Sequence, residues 1–289
     1  MSSGADTKQG VLYVVATPIG NRDDLSPRAA QVLGSVDVVA AEDTRTTAAL
    51  LGKLGIAAKL VSYHEHNERE RAQELAGLLA QGGQVALVSD AGTPILSDPG
   101  YQIVQRALEV DARVVPIPGP SALLLALVGA GLPMHEFAFG GFLPRTQEKR
   151  RKRLQQARES GVTHVFFESS HRIRESLADV AAVHAEERIC VARELTKPYE
   201  EFIRGSAHEL LGALADDTRC RGEFTLVLPG LPTTQARVAA LDADRELLLA
   251  LLRAGVAPST LVAALAETRR CPRKLAYDYV LALKAELAP

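Results

Sequence analysis

A loop-forming segment at residues 89–100 limits the possible folds of this chain more than any other feature. It reads Ser-Asp-Ala-Gly-Thr-Pro-Ile-Leu-Ser-Asp-Pro-Gly and combines two carboxylates with glycines and prolines. An apolar, strand-like run at 85–88 precedes it, and a helical pattern at 101–110 follows it. In open α/β sheets, ligands bind at the carboxyl ends of the strands. A long loop of this composition in that place favours a binding surface over a simple connection.

Strand and helix patterns alternate through the first 130 or so residues. The predicted strands lie at 11–16, 36–41, 59–62, 85–88 and 113–116. Ser26 followed by Pro27 is a typical helix start, and Asn67 with Glu70 three residues later has the pattern of a capping box. Alternation of this kind predicts a parallel sheet with helices on both faces.

Two further blocks follow this alternating region. Strands are predicted at 136–141, 162–167, 188–193, 199–205 and 223–228, with helices at 149–159, 172–183 and 207–215. A Pro/Gly-rich linker at 229–234 leads to helices at 242–253, 259–267 and 272–287, which are compatible with a helix-turn-helix-like module. We expect a flexible tail at 1–10, a parallel-sheet α/β domain at 11–130, a mixed-sheet α/β domain at 131–230 and a helical module at 238–289.

Composition limits the classes of protein to which the chain can belong. Its 289 residues carry a net charge of −2, so any nucleic-acid contact must come from local patches. The three cysteines show no CxxC or metal-binding spacing, which favours a reducing, cytoplasmic setting. The polar N-terminus lacks a signal-peptide pattern, and the apolar stretch at 122–134 is too short to cross a bilayer. We expect no membrane partner.

The loops at the predicted strand ends lie at 17–21, 42–45, 89–94 and 118–122 and should converge on one edge of the sheet. No GxxxxGK[ST] motif is present, which argues against a P-loop nucleotidase. No GxGxxG motif follows the first strand, which argues against a nicotinamide-dependent dehydrogenase. One such loop is most simply a turn, but four in register favour a small-molecule site.

Short motifs, taken in order, resemble those of one family. They are Thr-Pro-Ile-Gly-Asn at 17–21, Glu-Asp-Thr-Arg-Thr at 42–46, Ser-Asp-Ala-Gly-Thr-Pro at 89–94, Ser-Asp-Pro-Gly at 97–100, Pro-Gly-Pro-Ser-Ala at 118–122, Gly-Phe-Leu-Pro at 141–144, Phe-Glu-Ser-Ser-His-Arg at 167–172, Ala-Arg-Glu-Leu-Thr-Lys at 192–197 and Gly-Glu-Phe at 222–224. The chain resembles the tetrapyrrole-methylase-fold methyltransferases, and within them the members that methylate a cytidine 2'-oxygen in the decoding centre of 16S rRNA. The resemblance implies a two-domain α/β fold with a cofactor cleft between the domains and a small C-terminal helical module. It also implies a homodimer that acts on the assembled small ribosomal subunit.

The resemblance implies S-adenosyl-L-methionine as the cofactor, whose amino group needs hydrogen-bond acceptors. Asp90 is the candidate acceptor. Thr93, with backbone groups of Ala91 and Gly92, would hold the methionine part of the cofactor. As an alternative, Asp90 caps its own loop.

The rest of the cofactor would contact a helix start and apolar side chains. Ser121 and Ala122, at a predicted helix N-terminus, would offer backbone N–H groups to ribose or carboxylate oxygens. Phe167 and Pro229 would flank the adenine ring, and Pro18 in the first strand-end loop completes the set. The simpler alternatives are that Ser121 is an N-cap and that Phe167 is a core aromatic.

Methyl transfer to a ribose hydroxyl requires that a weak nucleophile be positioned or deprotonated. The candidate catalytic residues are Glu194 and Lys197, three positions apart beyond a predicted strand end, and Glu42 at another strand end. A carboxylate could hold Lys197 as a base with a lowered pKa. The alternative is a structural ion pair. The residues alone do not single out one base.

A pair of histidines is the only arrangement in the sequence that suggests a metal. His64 and His66 flank Glu65 in a predicted loop, where they could supply two ligands. No third ligand accompanies them in the sequence, and histidines in polar loops are common. We therefore expect no metal site.

Basic residues suggest where RNA would bind. The candidate RNA-binding residues are Arg145, Lys149, Arg150, Arg151, Lys152, Arg153 and Arg172. The five residues at 149–153 form an uninterrupted basic run that could neutralise phosphates, although a solvated helix face is the alternative. A second group, the tail cluster, comprises Arg269, Arg270, Arg273 and Lys274. Because aromatic residues are few, recognition of RNA shape is favoured over a stacking platform for single strands.

Two alternative functions stay open. A methylase of a corrinoid or porphyrinogen intermediate would use the same cofactor, but it would need neither the basic run nor the helical module. A non-enzymatic nucleic-acid-binding regulator would use the helical module alone and would leave the strand-end loops unexplained. Binding of the methyl donor and the identity of the methyl acceptor discriminate among the three.

Overall fold

The computed structural model describes residues 9–216, 218–231, 238, 241–269 and 271–287. Residues 1–8 of the predicted tail, 232–234 of the predicted linker and Arg270 of the tail cluster lie outside the described residues. Gly10, which the prediction places in the tail, is buried, and its carbonyl accepts a hydrogen bond from the Arg113 backbone N–H at 2.8 Å. Ordered structure therefore begins before the predicted end of the tail.

The first sheet consists of β1 (Val11–Val15), β2 (Val38–Ala41), β3 (Leu60–Ser62), β4 (Gln84–Val88) and β5 (Arg113–Ile117). Its order is β3-β2-β4-β1-β5, and all neighbouring strands are parallel. The predicted parallel sheet is confirmed. Because parallel strands end on the same edge, the four loops converge as expected.

Helices cover both faces of the first sheet. α1 (Pro27–Leu33) and α2 (Thr44–Lys53) pack on one face, and α3 (Glu68–Ala80) and α4 (Tyr101–Glu109) pack on the other. Successive residues of β2 alternate between the two apolar clusters. Cover on both faces explains why these strands read as continuous apolar runs.

The two predicted helix starts in this region have different outcomes. The Ser26 hydroxyl accepts a hydrogen bond from the Ala29 backbone N–H at 3.1 Å, so the predicted cap of α1 is confirmed. Asn67 makes no capping hydrogen bond to α3, so the predicted capping box is wrong. Its side chain instead accepts from the His64 backbone N–H at 2.8 Å and donates to the Ser62 carbonyl at 3.2 Å. The polar atoms of the Asn67 side chain are therefore bonded within the preceding loop and do not cap α3.

The second sheet consists of β6 (Phe137–Phe142), β7 (Thr163–Ser169), β8 (Ile189–Arg193), β9 (Glu201–Gly205) and β10 (Glu223–Leu228). Its order is β6-β7-β10-β8-β9. The β6–β7 pair is parallel and the other neighbours are antiparallel, so the sheet is mixed, as predicted.

Helices also cover both faces of the second sheet. α6 (Gln147–Glu159), α7 (Ile173–Val183) and α8 (Ala207–Ala213) enclose the larger apolar cluster on one face. α5 (Ala122–Ala130) packs on the opposite face against β7, β8 and β10. The predicted domain boundary at residue 130 assigns α5 to the first domain. This assignment is wrong in packing terms, since α5 buries its apolar residues against the second sheet.

Three C-terminal helices, α9 (Arg245–Arg253), α10 (Pro258–Thr268) and α11 (Arg273–Glu286), pack around an apolar cluster of their own. The expected helical module is therefore present. Among the described residues, no helix is long and apolar enough to cross a membrane.

Candidate active site

A cavity of about 480 Å³ lies between the loops of the first sheet and the near edge of the second. Its walls are Ile19, Glu42, 90–93, 96–98, Ser121, Ala122, Phe142, 167–170, Leu195 and 222–225. Both sheets and the N-terminus of α5 thus contribute to one cleft. The segment at 89–100 supplies seven of the wall residues, more than any other segment.

Most of the predicted cofactor-binding residues meet in this cleft. Those that line it are Asp90, Ala91, Gly92, Thr93, Ser121, Ala122 and Phe167. Pro18 lines an adjoining cavity, also of about 480 Å³, between its own loop and α2. Ile19, which the sequence analysis did not single out, lines both cavities and forms the partition between them.

Pro229, predicted to flank the adenine ring, does not line the cleft. β10 runs antiparallel to β7, and the cleft lies at the start of β10, where Thr225 faces Phe167. Pro229 follows the opposite end of β10, about 13 Å beyond Thr225 at the usual rise per strand residue. The neighbouring Gly230 packs against the backbone of Val162, outside the cleft.

Asp90 and Glu42 lock two loops of the first sheet together. An Asp90 carboxylate oxygen accepts a hydrogen bond from the Asp43 backbone N–H at 3.0 Å. In return, a Glu42 carboxylate oxygen accepts from the Asp90 backbone N–H at 3.2 Å. Asp90 is exposed and Glu42 is half-buried, so both carboxylates fix the loops while still facing the cleft.

Two backbone hydrogen bonds join Gly92 to Thr17. Its N–H donates to the Thr17 carbonyl at 3.0 Å, and its carbonyl accepts from the Thr17 N–H at 2.9 Å. Its φ of +80° is one that side chains rarely adopt. Thr17 therefore uses the Gly92 N–H, and the Gly92 carbonyl keeps one lone pair for the predicted contact with the methionine part of the cofactor. The Thr93 hydroxyl donates to the Pro120 carbonyl at 3.2 Å and can still accept a hydrogen bond.

The α5 N-terminus closes one side of the cleft. The Ser121 hydroxyl accepts from the Leu124 backbone N–H at 3.5 Å, so Ser121 is the N-cap that the alternative prediction describes. Ser121 and Ala122 also line the cleft. The remaining N–H groups of the first turn have no partner within the helix and carry a partial positive charge.

Asp98 is a cleft carboxyl that the sequence analysis did not assign to the site. Burial, followed by the nearby charges of Glu42 and Asp90, raises its pKa to about 6. Three carboxyl groups of the first sheet therefore share one cavity, with no cation among the residues named for its walls. Asp98 is the second acidic residue of the 89–100 segment, and this was the sequence signal that could have assigned it to the site.

Backbone strain is concentrated in two loops beside the cleft. Ile95 and Ser97 have φ values of 78° and 73°, and Glu194 and Thr196 have φ values of 51° and 66°. Such values are uncommon outside glycine, and Ile95 is a β-branched residue for which the conformation is unusual. Strain of this kind is found where a loop must hold side chains in a set position.

Glu194 and Lys197 form a network with Glu223. The Lys197 ammonium donates to Glu194 at 2.8 Å and to Glu223 at 2.9 Å, and Glu194 also accepts from the Glu223 backbone N–H at 3.0 Å. Among the described residues, Glu223 is the member of this network that lines the cleft. A side chain at Gly222 would overlap the Glu194 carboxylate, so glycine is required there.

The predicted lowered pKa of Lys197 is wrong. Partial burial does act to lower this pKa, but the hydrogen bonds and charges of Glu194 and Glu223 outweigh it and raise the pKa above the ordinary value. Lys197 therefore stays an ammonium near neutral pH, as the alternative of a structural ion pair predicts.

Phe167 belongs to an aromatic group beside the cleft. Its ring lies 4.9 Å from that of Phe139 and 5.7 Å from that of Phe142, both edge to face. Phe167 is half-buried, whereas Phe142 is 55% exposed. Phe167 packs against the apolar core, as the alternative prediction has it, and also lines the cleft, so its contact with adenine stays a prediction. Phe142 was missed.

The basic residues divide into structural and exposed groups. Arg150 is buried and donates to Asp179 at 2.7 Å, and Arg172 donates to Glu168 at 2.6 Å and to the Leu143 carbonyl at 2.9 Å. These internal bonds favour a structural role for both arginines over the predicted contact with RNA. The members of the set that remain exposed are Arg145, Lys149, Arg151 and Lys152.

Two further basic residues have internal partners. Arg151 donates to Asp179 at 2.6 Å although half of its side chain is exposed, and Arg153 lies over the Phe166 ring at 5.5 Å. In the tail cluster, Arg269 makes a two-pronged ion pair with Asp244 at 2.7 and 2.8 Å. These pairs reduce the charge that a partner would meet.

The two histidines lie close together without forming a ligand set. The rings of His64 and His66 are 6.0 Å apart. Within the part of the chain that the structure describes, no group of three or more His, Cys, Asp or Glu side chains could hold a metal ion.

Comparison with known proteins decides the family. The family model described as tetrapyrrole (corrin/porphyrin) methylases matches residues 11–211, which include the first sheet and every strand of the second sheet except β10. The chain belongs to the tetrapyrrole methylase family. The resemblance inferred from the motifs is thereby confirmed.

Relatives of this methylase are similar over most of their length. One, from Micromonospora olivasterospora, is 46% identical and aligns over 94% of this chain and 86% of the relative. Another, from Escherichia coli O157:H7, is 43% identical over 96% of each chain. Both are named ribosomal RNA small subunit methyltransferase I.

Solved structures show the same fold at low identity. The methyltransferase CobJ is 20% identical, with a TM-score of 0.56, over 76% of this methylase and 95% of its own chain. A uroporphyrin III C-methyltransferase from Thermus thermophilus is 18% identical, with a TM-score of 0.52, over 75% and 97%. About a quarter of the methylase therefore lies outside these matches.

Proposed function

We propose that this methylase transfers the methyl group of S-adenosyl-L-methionine to the 2'-oxygen of a cytidine in the decoding centre of 16S rRNA. The observation that carries the proposal is the likeness, at 43–46% identity over nearly the whole chain, to relatives named for the small-subunit rRNA. The proposed substrate is the assembled small ribosomal subunit, and the reaction would therefore take place in the cytoplasm.

The chemistry of the cleft fits S-adenosyl-L-methionine. Its volume of about 480 Å³ falls within the range of about 300–1,000 Å³ that small-molecule sites occupy. Asp90, Asp98 and Glu42 supply anionic acceptors for a cofactor whose amino group and sulfur are cationic. Ile19, Leu195 and the Phe167 ring supply apolar surface for the adenine ring.

Each end of the cofactor would meet a different element of the chain. Asp90 would accept from the amino group, and the first turn of α5 at Ser121 and Ala122 would donate to the carboxylate. Thr93 would accept a hydrogen bond beside them through its hydroxyl, whose proton is donated to Pro120. When bound, S-adenosyl-L-methionine supplies an electrophilic methyl carbon on a sulfonium, which departs as a neutral thioether once the carbon has bonded to oxygen.

The residues that act on the ribose hydroxyl can be ordered by their place in the cleft. Glu42 lines the cavity and is the proposed acceptor of the 2'-hydroxyl proton. Glu194 and Lys197 act as positioning residues, because they hold the Glu223 carboxylate at the cavity wall. Lys197 does not take the proton, since its ion pairs keep it protonated.

The exposed part of the basic run would hold the rRNA backbone. Arg145, Lys149 and Lys152 are exposed, and the chain leads from Phe142 at the cleft to Arg145 within three residues. Phosphates placed on these side chains would lie next to the opening of the cleft. This arrangement favours an RNA substrate over a tetrapyrrole acid.

The test is transfer of a labelled methyl group from S-adenosyl-L-methionine to purified small subunits that lack the modification, to large subunits and to free 16S rRNA. We expect label in small subunits, and nucleoside mapping should find it on a 2'-O-methylcytidine. Label on a base, or only in large subunits, contradicts the proposed site. No label in any RNA, together with transfer to a porphyrinogen, would replace it with the tetrapyrrole alternative.

We also propose that the methylase is a homodimer. The outer face of α5 exposes Leu124 by 52% and Val128 by 72%, which is unusual for large apolar side chains on a helix. A second copy of the chain would cover this face. Sedimentation should show a dimer for the wild type and a monomer for Val128→Glu, whereas a monomeric wild type at micromolar concentration contradicts the proposal.

A further inference from the structure

A β-bulge directs Phe142 toward the cleft. In the β6–β7 ladder, Phe139 lies opposite Val165 and Phe142 lies opposite Phe167, so three steps along β6 match two along β7. In a regular strand, residues three apart point to opposite faces. The extra residue puts Phe139 and Phe142 on the same side, where both contact the Phe167 ring.

Two glycines make this bulge possible. A side chain at Gly140 would overlap the Phe166 ring. Gly141 has a φ of +63°, which side chains rarely adopt. The backbone at 140–141 is thus specialised for presenting Phe142.

Phe142 lies at the mouth of the cleft and is exposed. It lines the cavity, yet 55% of its surface faces solvent. Across the opening, Leu96 is 37% exposed, and the Ser97 hydroxyl lies near Gly141, so the two halves of the chain approach each other there. More than half of this aromatic residue is therefore accessible to a planar ligand.

Positive charge follows Phe142 along the surface. Arg145 and Lys149 are exposed and come three and seven residues later, at the start of α6. A planar apolar ring beside cations matches a nucleotide in a polynucleotide chain, whose base is planar and whose phosphates are anionic. In folded rRNA, bases outside helices are recognised by stacking on aromatic side chains.

We propose that Phe142 stacks on the base of the target nucleotide and thereby holds its ribose at the cleft. This inference rests on the proposed function, because it assumes an RNA substrate. A single ring at the mouth is compatible with shape recognition elsewhere on the surface. It makes Phe142 a residue for binding RNA and leaves the cofactor to the inner walls.

The test compares Phe142→Leu, Phe142→Tyr and the control Phe137→Leu. Phe137 is 44% exposed on the same strand and is not part of the cleft wall. We expect Phe142→Leu to raise KM for small subunits about tenfold or more, the size of one lost base stack. Its Kd for S-adenosyl-L-methionine by calorimetry should stay within about twofold of the wild type, as should both constants of the control. Phe142→Tyr keeps an aromatic ring, so its KM for small subunits should match that of the wild type.

Other results would overturn the inference. A weaker Kd for the cofactor with unchanged KM for subunits would make Phe142 part of the adenine slot. Wild-type values for Phe142→Leu in both measurements would remove it from binding altogether. If the wild type methylates no RNA, the proposed function fails. Filter binding of small subunits by the wild type and Phe142→Leu then still decides whether the ring contacts RNA.

Discussion

The carboxylates of the two cleft walls differ in whether they form ion pairs. The wall from the first sheet presents Glu42, Asp90 and Asp98 without a neutralising cation among the wall residues. The wall from the second sheet neutralises its carboxylates internally, with Arg172 on Glu168 and Lys197 between Glu194 and Glu223. Carboxylates without an ion-pair partner are suited to binding a cationic ligand. Carboxylates in internal ion pairs are suited to stabilising the fold around the cleft. Substitutions in the two walls should therefore separate binding from stability.

The largest effect is expected from Glu168→Ala in the second wall. The buried Glu168 carboxylate accepts from Arg172, from the Ser176 hydroxyl at 2.6 Å and from the Ser169 N–H at 2.8 Å. Its loss should lower the free energy of unfolding in urea by about 2–3 kcal/mol, because the partners lose their acceptor. Glu168→Gln retains an acceptor and should lose less. A loss below about 0.5 kcal/mol for Glu168→Ala would show that this wall is not held by charge.

The next effect is expected from Asp90→Ala in the first wall. It should weaken binding of S-adenosyl-L-methionine by about tenfold or more, the usual size for a hydrogen bond to a charged group. The free energy of unfolding should fall by no more than about 1 kcal/mol, because only the hydrogen bond from the Asp43 N–H to this exposed side chain is lost. Asp43→Ala is the matched control, since it removes the cap of α2 outside the cleft. Equal cofactor affinity for wild type and Asp90→Ala in calorimetry would contradict the assignment.

A smaller effect is expected at the surface beside the second wall. Replacing both Lys149 and Lys152 by Gln should weaken small-subunit binding by about tenfold and lower its salt dependence by about two counterions. The cofactor Kd should not change. The control replaces Arg28 and Arg69, which are exposed in the first half of the chain, by Gln. If the control weakens small-subunit binding as much, the effect comes from net charge, and the basic run is not a specific RNA-binding site.

The smallest effect concerns the pH dependence of the first wall. Asp98 titrates near 3.8 when unfolded and about 6 in the fold, so the fold holds the extra proton between these values. Stability should therefore fall as pH rises from about 4 to about 6. Asp98→Asn should be more stable than the wild type at pH 7 by about 1 kcal/mol, a value discounted for solvent screening. In urea unfolding this difference should shrink as pH falls toward 4; a constant difference would contradict the raised pKa.

Sequence periodicity predicts the first sheet well because its strands are covered on both faces and bounded by Gly/Pro loops. The convergence of Asp90, Thr93 and Ser121 follows from one rule, that parallel strands end on the same edge. Pro229 fails this rule because β10 is antiparallel to β7, and the direction of a strand is not written in its own residues. The roles of Arg150 and Arg172 depend on Asp179 and Glu168, carboxylates that the packing of α6 and α7 brings to them.

The sequence contains a signal that could have predicted the position of Phe142. Two consecutive glycines inside an apolar strand pattern indicate a bulge or a close approach of backbone. An aromatic residue directly after them is then shifted to a new face. The raised pKa of Lys197 had no such signal, because its second partner, Glu223, lies 26 residues further along the chain.

The packing of α5 has a consequence for how the protein unfolds. α5 follows β5 of the first sheet after four residues, yet its buried side chains belong to the second sheet. A molecule in the cleft would contact loops anchored in one half and the α5 terminus anchored in the other. Occupancy should therefore make the two halves melt together, in a single calorimetric transition whose midpoint rises with ligand concentration.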